Sequence, residues 1–328
     1  MIPLLIGIPA VLAVLFQFIR NEKARGYIVY AGAGIVMLTT VIFIVRWITG
    51  GAQTWMFYPE TELIDHLMTA GDIFLMCLII YLSVKYGKVL PVILSVLQTA
   101  LVLYTEFTTE TVGGPHMMVD WLTILMCIII AFIGGFICIY TVGYMKGYHA
   151  HHKDVKDRQP FFFSMLFLFL AAMFGLVLSQ NLIWIYFFWE ITSVISFLMI
   201  GYTRTDEAVN NSFCALWMNL LGGLGFAVGI ALMAQLYGTL QLMDVVESGA
   251  LLPLMCLALA GLTKSAQLPF STWLLGAMVA PTPSSALLHS ATMVKAGVYL
   301  LIRISPALEG NLVEIIISSI GGLTFIMA

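Results

Sequence analysis

Four titratable side chains lie well inside apolar stretches of the sequence. Glu190 occurs in "LIWIYFFWEITSVISFLMIGY", Lys264 in "GLTKSAQLPF", and His289 and Lys295 in "SSALLHSATMVKAGVYL". A charged side chain at the centre of a membrane helix costs about 2.5–3.5 kcal/mol on insertion scales, so such groups normally face the protein interior and have a partner. Carboxylate, amine and imidazole groups all bind and release protons. These residues could therefore hold or pass a proton.

The composition identifies the setting of these residues as a lipid bilayer. The 328 residues are 61% hydrophobic and only 9% charged, whereas soluble domains carry about 25% charged residues. The net charge of -3 says nothing about nucleic acid, because loop placement governs the charge of such a chain, and we expect no nucleic-acid partner. The five cysteines are widely spaced without a CxxC pair, which argues against an iron–sulfur or zinc site. We expect no metal, no cofactor and no redox chemistry in this chain.

The hydropathy pattern predicts an all-α, polytopic transmembrane helix bundle of about 11 spans, with a broken helix around 261–270. The predicted spans are 3–19, 27–48, 68–84, 89–106, 118–143, 161–179, 182–202, 212–236, 250–280, 284–304 and 312–328. Short connections favour antiparallel neighbours. The first apolar run follows no basic residue, so we expect a retained span and not a cleaved signal peptide.

The charges of alternate loops predict the orientation. Ten of the 14 basic residues fall in one set of loops, namely Arg20, Lys23, Arg25, Lys85, Lys88, Lys146, Lys153, Lys156, Arg158 and Arg204. The opposite loops hold Arg303 and gather Glu60, Glu62, Asp65, Glu106, Glu110, Asp244 and Glu247. The positive-inside rule then predicts a multi-pass protein of the cytoplasmic membrane with its N-terminus outside.

The region around Lys264 combines a buried cation with a helix-breaking residue. Pro269 has no N–H, so the carbonyl of Ser265 loses its usual helical partner. Thr263 and Ser265 place further polar groups beside the lysine. Free backbone groups at membrane depth are tolerated where protein protects them or where they line a water-filled cavity. This predicts a hydrated break with Glu190 as the acidic neighbour, although an ion pair that only fixes helix packing remains an alternative.

The next apolar segment carries His289 and Lys295. Six residues separate them, which is about 120° around and about 9 Å along an ideal helix. They would then point at different neighbours, as successive stations of a proton path would. The alternatives are a hydrogen-bonded interior histidine and an inward-facing lysine that takes no part in transport. Asp72 and Asp120 are predicted nearer the outer ends of their spans.

Two other patterns are interpreted as structural. The run "YHAHHKDVKD" (148–157), which contains His149, His151 and His152, favours a solvated cytoplasmic loop over a metal site, because it lacks i, i+4 spacing and cysteine. The glycines of "GGLGF" (222–226) and "GAGI" (32–35) indicate close helix contacts, since no phosphate-loop lysine follows either run.

The segments 187–202 ("FFWEITSVISFLMIGY") and 262–303 ("LTKSAQLPFSTWLLGAMVAPTPSSALLHSATMVKAGVYLLIR") resemble the antiporter-like proton-translocating subunits shared by complex I, Mrp antiporters and membrane-bound hydrogenases. The resemblance extends from about Asp120 to Arg303. It implies that Glu190 is the glutamate that modulates the lysine of the broken helix, Lys264. It also implies that His289 and Lys295 are the central polar positions of the following helix.

The resemblance also implies a division of the chain. Residues 1–110 form less family-like transmembrane helices, and residues 111–328 form the antiporter-like translocation domain, truncated before the family's second broken helix. Two extra spans near 68–106 favour the large antiporter-like subunit of an energy-converting (Ech or CO-induced type) hydrogenase.

The function expected from the resemblance is proton or sodium translocation in a redox-driven complex, a hydrogenase or a complex I-like NADH dehydrogenase. The partners would be other membrane subunits and hydrophilic hydrogenase or iron–sulfur subunits, which would carry the electrons. Two alternatives are a subunit of an Mrp-type cation/proton antiporter and a membrane scaffold that transports nothing.

Overall fold

Apolar α-helices account for most of the chain in the computed structural model, which describes residues 1–58, 62–108, 114–153 and 155–327. The helices of the first two-thirds are α1 (Ile2–Phe16), α2 (Glu22–Thr49), α3 (Glu62–Lys85), α4 (Val89–Thr108), α5 (Trp121–Ile128), α6 (Gly134–His151), α7 (Gln159–Leu178), α8 (Leu182–Ile200) and α9 (Asp206–Tyr237). They are followed by α10 (Leu242–Ser248), α11 (Leu251–Lys264), α12 (Thr272–Gly276), α13 (Thr282–Ala286), α14 (Met293–Ile304) and α15 (Leu312–Met327). Glu60 and Glu110, two of the acidic residues behind the predicted orientation, lie outside the described residues.

The predicted membrane bundle is confirmed. Eight helical segments of the described chain are long and apolar enough to cross a bilayer, and α1, α11 and α15 are shorter apolar helices. These segments coincide with the predicted spans. A π-helical turn at Ile129–Ile133 joins α5 to α6, and a second at Leu287–Ala291 precedes α14. Neither π turn nor the short α10 was predicted.

A small antiparallel ribbon, also not predicted, connects two helices at one end of the bundle. Its strands are β1 (Trp55–Phe57) and β2 (Met117–Val119), with Trp55 opposite Val119. Strand β1 follows α2 and β2 precedes α5. The ribbon therefore fixes the end of α2 beside the start of α5.

The interior of the bundle centres on α7, which packs against α1 and α8. Most α7 residues are buried, and nearly all of them are apolar. Helix α9 packs against α4, α8 and α11. This arrangement places α9 against both the glutamate-bearing helix, α8, and the lysine-bearing helix, α11.

The two ends of the bundle differ in charge. At the end that we call the basic end, Arg25 Nη2 donates to Gln159 Oε1 at 2.8 Å, and Lys88 Nζ donates to Asn210 Oδ1 at 3.0 Å. At the opposite end, the acidic end, Trp184 Nε1 donates to Asp65 Oδ1 at 2.7 Å. Arg303 and Asp120 form an ion pair at this end.

The histidine run differs from its prediction, because α6 continues through His151. His149 is therefore helical, and its Nε2 lies 3.1 Å from the Tyr202 hydroxyl and 3.5 Å from Asp157 Oδ1. His151 and His152 lie close to main-chain carbonyls of the same segment. The helix extends because backbone i, i+4 bonds continue into the polar sequence, and the predicted loop begins only after His151.

Candidate functional site around a buried lysine

Lys264 is the last residue of α11 and is fully buried, with an exposed fraction of 0%. Its ammonium donates to the main-chain carbonyl of Trp189 at 3.0 Å and to Ser193 Oγ at 2.7 Å. The same nitrogen lies 4.8 Å from the centre of the Trp189 ring. All three contacts belong to α8, so the amine is held by oxygen acceptors and an aromatic face, both of which favour a cation.

Glu190 is buried next to these contacts on α8, with an exposed fraction of 3%. Its Oε2 accepts a hydrogen bond from Gln98 Nε2 on α4 at 2.8 Å. Its Oε1 has no hydrogen-bond partner within the described part of the chain. Buried polar atoms are nearly always paired with protein or ordered water, so this carboxylate has capacity for one more donor.

The buried ion pair, which the sequence left open as an alternative, is not formed. Among the described residues, ion pairs closer than 4.0 Å join His149 to Asp157 and Arg303 to Asp120. Lys264 instead contacts the residue before Glu190 and the residue three positions after it. The two charges still interact electrostatically through the protein. The protonation of one group therefore alters the free energy of protonating the other.

Two adjacent glycines of α9 let this helix pack directly against the residues of the site. A side-chain carbon at Gly223 would lie 2.6 Å from Gln98 Oε1 and 2.6 Å from Glu190 Oε1. A side-chain carbon at Gly222 would lie 3.4 Å from Cα of Ala260 on α11. The predicted close helix contacts of this glycine run are confirmed, and they determine how near α9 comes to both halves of the site.

The helix break is where the sequence placed it, but its polar groups are arranged differently. Helix α11 ends at Lys264, and the Ser265 carbonyl, expected to be free, accepts a hydrogen bond from Gln267 Nε2 at 3.2 Å. The expectation of a free carbonyl was wrong because a side-chain amide replaces the missing backbone donor. Pro269 lies in the turn that follows, where the backbone N–H of Leu268 donates to Thr324 Oγ1 at 3.0 Å.

The two hydroxyl residues beside the lysine stabilise the break and make no bond to the amine. Thr263 Oγ1 donates to the Ala260 carbonyl at 2.9 Å, and Ser265 Oγ donates to the Gly261 carbonyl at 2.7 Å. The Thr263 carbonyl accepts from Trp273 Nε1 at 3.0 Å, which ties α12 to the end of α11.

His289 and Lys295 occupy a segment that is not an ideal helix. His289 lies in the second π turn, and Thr292 interrupts the helical backbone before α14 begins. The predicted 120° and 9 Å separation therefore does not apply. His289 is half-buried, and its Nε2 lacks a hydrogen-bond partner among the described residues. Lys295 is partly exposed on α14.

The structure brings Glu190 and Lys264 together, but it does not connect the other two predicted residues to them. In the described ranges, no hydrogen bond or ion pair joins His289 or Lys295 to Lys264. Helix α14 contacts the site through its backbone at Gly297, which packs closely against α11. A side-chain carbon at Gly297 would lie 2.5 Å from the Gly261 carbonyl and 3.1 Å from Cβ of Lys264.

Sequence reasoning missed three residues that complete the site: Gln98, Trp189 and Ser193. Ser193 and Trp189 lie within one turn of Glu190, so their helical spacing was the available signal. Gln98 is a polar residue within a predicted apolar span, and no local pattern relates it to Glu190. Asp72, expected near the outer end of its span, is buried within α3, which packs against the glutamate-bearing helix α8.

Comparison with known proteins assigns the chain to a family. Residues 179–328 match the family model described as "NADH:quinone oxidoreductase/Mrp antiporter, TM", and residues 115–154 match "NADH-Ubiquinone oxidoreductase (complex I), chain 5 N-terminus". The first match contains Glu190, Lys264, His289 and Lys295. Helices α3 and α4 lie outside both matched ranges.

Individual relatives agree with the family models. The chain is 37% identical over 230 residues to a probable subunit of a K(+)/H(+) antiporter of Rhizobium meliloti (strain 1021), covering 66% of this chain and 23% of the relative. It is 37% identical over 220 residues to the putative antiporter subunit mnhA2 of Staphylococcus aureus (strain JH9), covering 64% and 27%. The chain thus spans about a quarter of these relatives.

A solved structure shows the same fold. The Mrp complex from Dietzia sp. DQ12-45-1b matches with a TM-score of 0.55 and 28% identity, over 77% of this chain and 29% of that chain. The helix bundle, the buried lysine at a helix break and the matched sequence ranges agree with one another. The chain is a multi-pass membrane protein, and it belongs to the antiporter-like membrane subunit family of NADH:quinone oxidoreductase and the Mrp antiporters.

Proposed function

We propose that this chain is an ion-translocating subunit of an Mrp-type cation/proton antiporter, in which Lys264 holds and releases the transported proton. The observation that carries the proposal is the buried ammonium of Lys264, which is held by the Trp189 carbonyl and Ser193 Oγ beside Glu190. A lysine in apolar surroundings loses its proton more readily, and a nearby carboxylate opposes that loss. A change in the charge of Glu190 would therefore move the proton of Lys264.

The comparisons favour the antiporter over the hydrogenase that the sequence analysis placed first. The two relatives described above carry antiporter names, and the similar solved structure is an Mrp complex. The exchanged cation would be potassium or sodium, since one relative is named for K(+)/H(+) antiport. The partners would be other membrane subunits of such a complex. A co-purified iron–sulfur or hydrogenase subunit would instead support the redox-driven alternative.

His289 and Lys295 would act after Lys264 in the proposed path. The buried, unpartnered Nε2 of His289, considered within the described residues, supports a role in which this nitrogen exchanges a proton with ordered water. We also propose that the basic end faces the cytoplasm of a cell membrane, with the N-terminus outside, because Lys and Arg gather at cytoplasmic loops.

The proposal is tested by Lys264→Ala in the assembled native complex, with cation-dependent proton movement measured in inside-out membrane vesicles. We expect transport to fall at least tenfold, because alanine can neither hold a proton nor replace the amine that contacts α8. Lys153→Ala removes an exposed lysine and serves as the matched control.

Assembly must be measured alongside transport. The scaffold alternative predicts that Glu190→Gln and Lys264→Met change only the yield or thermal stability of the complex. Wild-type transport by a normally assembled Lys264→Ala complex would rule out the proposed role of the lysine.

A further inference from the structure

Helix α4 presents a polar face to the interior of the bundle, which is unusual for a membrane span. Its buried residues are Pro91, Leu94, Ser95, Gln98, Thr99, Val102 and Thr105. The four polar residues of this set recur at helical spacing along one face. At the acidic end the same helix carries Glu106, whose Oε1 accepts a hydrogen bond from Thr69 of α3 at 2.6 Å.

Several polar atoms along this face have no protein partner. In the described part of the chain, Ser95 Oγ, Gln98 Oε1 and Glu190 Oε1 are buried without a hydrogen bond. Gln98 and Glu190 are 1% and 3% exposed, and both unpaired oxygens converge on Gly223 of α9. Buried polar atoms of this kind are satisfied by ordered water. The buried face of α4 therefore has the polar groups that a hydrated path requires.

A second buried carboxylate lies on the neighbouring helix, α3. Asp72 of α3 is 6% exposed. Helix α3 packs against both α4, which carries Glu106, and α8, which carries Glu190. Asp72 lies seven residues after Asp65, about 10 Å along the helix on the same face. The carboxylates Glu106, Asp72 and Glu190 thus form a series that leads inward from the acidic end.

The outer end of this series opens into a cavity. It has a volume of about 180 Å³ and is lined by Asp65, Glu106, His116 and Trp184, among others. His116 lies outside the membrane helices, and burial lowers the pKa of its imidazole, although Asp65 opposes this effect. The cavity therefore offers carboxylate oxygens and imidazole nitrogens that can exchange protons with solvent at the acidic end.

We propose that the α3–α4 hairpin forms a proton path of its own, running from the cavity at the acidic end through Glu106 and Asp72 to Glu190. Neither matched family range includes this hairpin. A proton taken up by the Glu106 carboxylate passes through bridging water to the Asp72 carboxylate and leaves Glu106 ionised. A second transfer protonates Glu190 and leaves Asp72 ionised.

This path rests on the proposed function, because it supplies or removes the proton that changes the charge next to Lys264. The path gives Asp72 a role in proton transfer, whereas the packing of α3 does not require a carboxylate at this position. Within the described residues, no hydrogen bond or ion pair holds the Asp72 carboxylate, and such a group is costly to bury in a membrane helix. A path for protons accounts for both the carboxylate and the unpaired polar atoms around it.

The test compares Asp72→Asn and Glu106→Gln with wild type in the intact complex, using cation-dependent proton movement in inside-out vesicles. Each substitution keeps the size and hydrogen-bonding capacity of the side chain but removes the exchangeable proton. We expect transport to fall at least tenfold in each variant, and we expect Asp72→Glu to restore most of it. Glu62→Gln, which changes an exposed carboxylate of α3, is the matched control.

Lys264→Ala is measured in the same preparation to separate the two hypotheses. Wild-type transport by Asp72→Asn or by Glu106→Gln, while Lys264→Ala is inactive, would overturn the path and leave the proposed function intact. Wild-type transport by Lys264→Ala would overturn the proposed function. If Asp72→Asn fails to accumulate, Glu106→Gln decides, because Glu106 lies at the cavity near the helix end.

Discussion

Helices α4 and α7 both face the interior of the bundle, but they differ in whether their buried polar groups have hydrogen-bond partners. The buried polar residues of α7 are paired: Gln159 with Arg25, and Ser164 Oγ with the Ala13 carbonyl at 2.6 Å. On α4, Ser95 Oγ and Gln98 Oε1 have no hydrogen-bond partner within the described chain. Completely paired polar groups rigidify the core, whereas under our proposal the unpaired groups of α4 bind the water that transfers protons.

The largest expected effect is on stability, at α7. A side-chain carbon at Gly175 would lie 2.4 Å from two atoms of the Phe188 ring. Overpacking of this kind costs about 1–3 kcal/mol, so we expect Gly175→Ala to lower the melting temperature and the yield of folded protein. Gly34→Ala, where no heavy atom lies within 4 Å, is the control. Equal melting temperatures for the two variants would contradict the tight packing of α7 against α8.

The next effect is on transport, at the contact between α9 and α4. In Gly223→Ala, the added carbon would displace Gln98 Oε1 or Glu190 Oε1, each 2.6 Å away. These atoms end flexible side chains that can move, so we expect a modest loss of stability but about a tenfold loss of cation-dependent proton transport. Such a loss corresponds to about 1.4 kcal/mol in the transition-state free energy. A fall in melting temperature as large as that of Gly175→Ala would contradict the proposed division of roles.

A pair of serines tests the comparison directly. Ser164→Ala on α7 removes a made hydrogen bond and should cost about 0.5–1.5 kcal/mol of unfolding free energy. Ser95→Ala on α4 removes a hydroxyl without a protein partner in the described chain, so its melting temperature should not fall. Thermal unfolding of the two purified variants measures the difference. An equal fall in both would mean that the Ser95 hydroxyl makes a protein hydrogen bond as stabilising as that of Ser164.

The smallest expected effect concerns pH, at the acidic end. Burial raises the pKa of the Asp120 carboxyl, but hydrogen bonds from Arg303 and from the backbone N–H of Thr123 outweigh it and hold the pKa below its ordinary value of 3.8. The contribution of Asp120 to stability is therefore fully present above pH 3.8. It is lost as the pH falls through the lower folded-state pKa.

Asp120→Asn should abolish this pH-dependent contribution to stability. We expect the melting temperatures of wild type and variant to differ by a constant amount from pH 5 to pH 8 and to converge as the pH falls below 3.8 and through the lower folded-state pKa. A difference in melting temperature that grows as the pH falls would contradict this, because it would mean that the Asp120–Arg303 ion pair stabilises the protein more at low pH.

The sequence predicted the helices of the bundle and the depth of Glu190 and Lys264, because both follow from local composition. It could not predict that Gln98 would be the partner of Glu190, since 92 residues separate them and they meet only because α4 and α8 both pack against α9. The π turn before α14 was missed for a similar reason. Hydropathy does not distinguish a π turn from an α turn, so the relative positions of His289 and Lys295 were predicted from an ideal helix that the segment does not form.

The two adjacent glycines of α9 have a mechanical consequence. Gly222 borders the lysine-bearing helix and Gly223 borders Glu190, only 1.5 Å apart along the axis and about 100° apart around it. A rotation of α9 by a few degrees would change both clearances in the same motion. Glu190 and Lys264 would then respond together to a movement of one helix, although no ion pair within 4.0 Å joins them in the described structure.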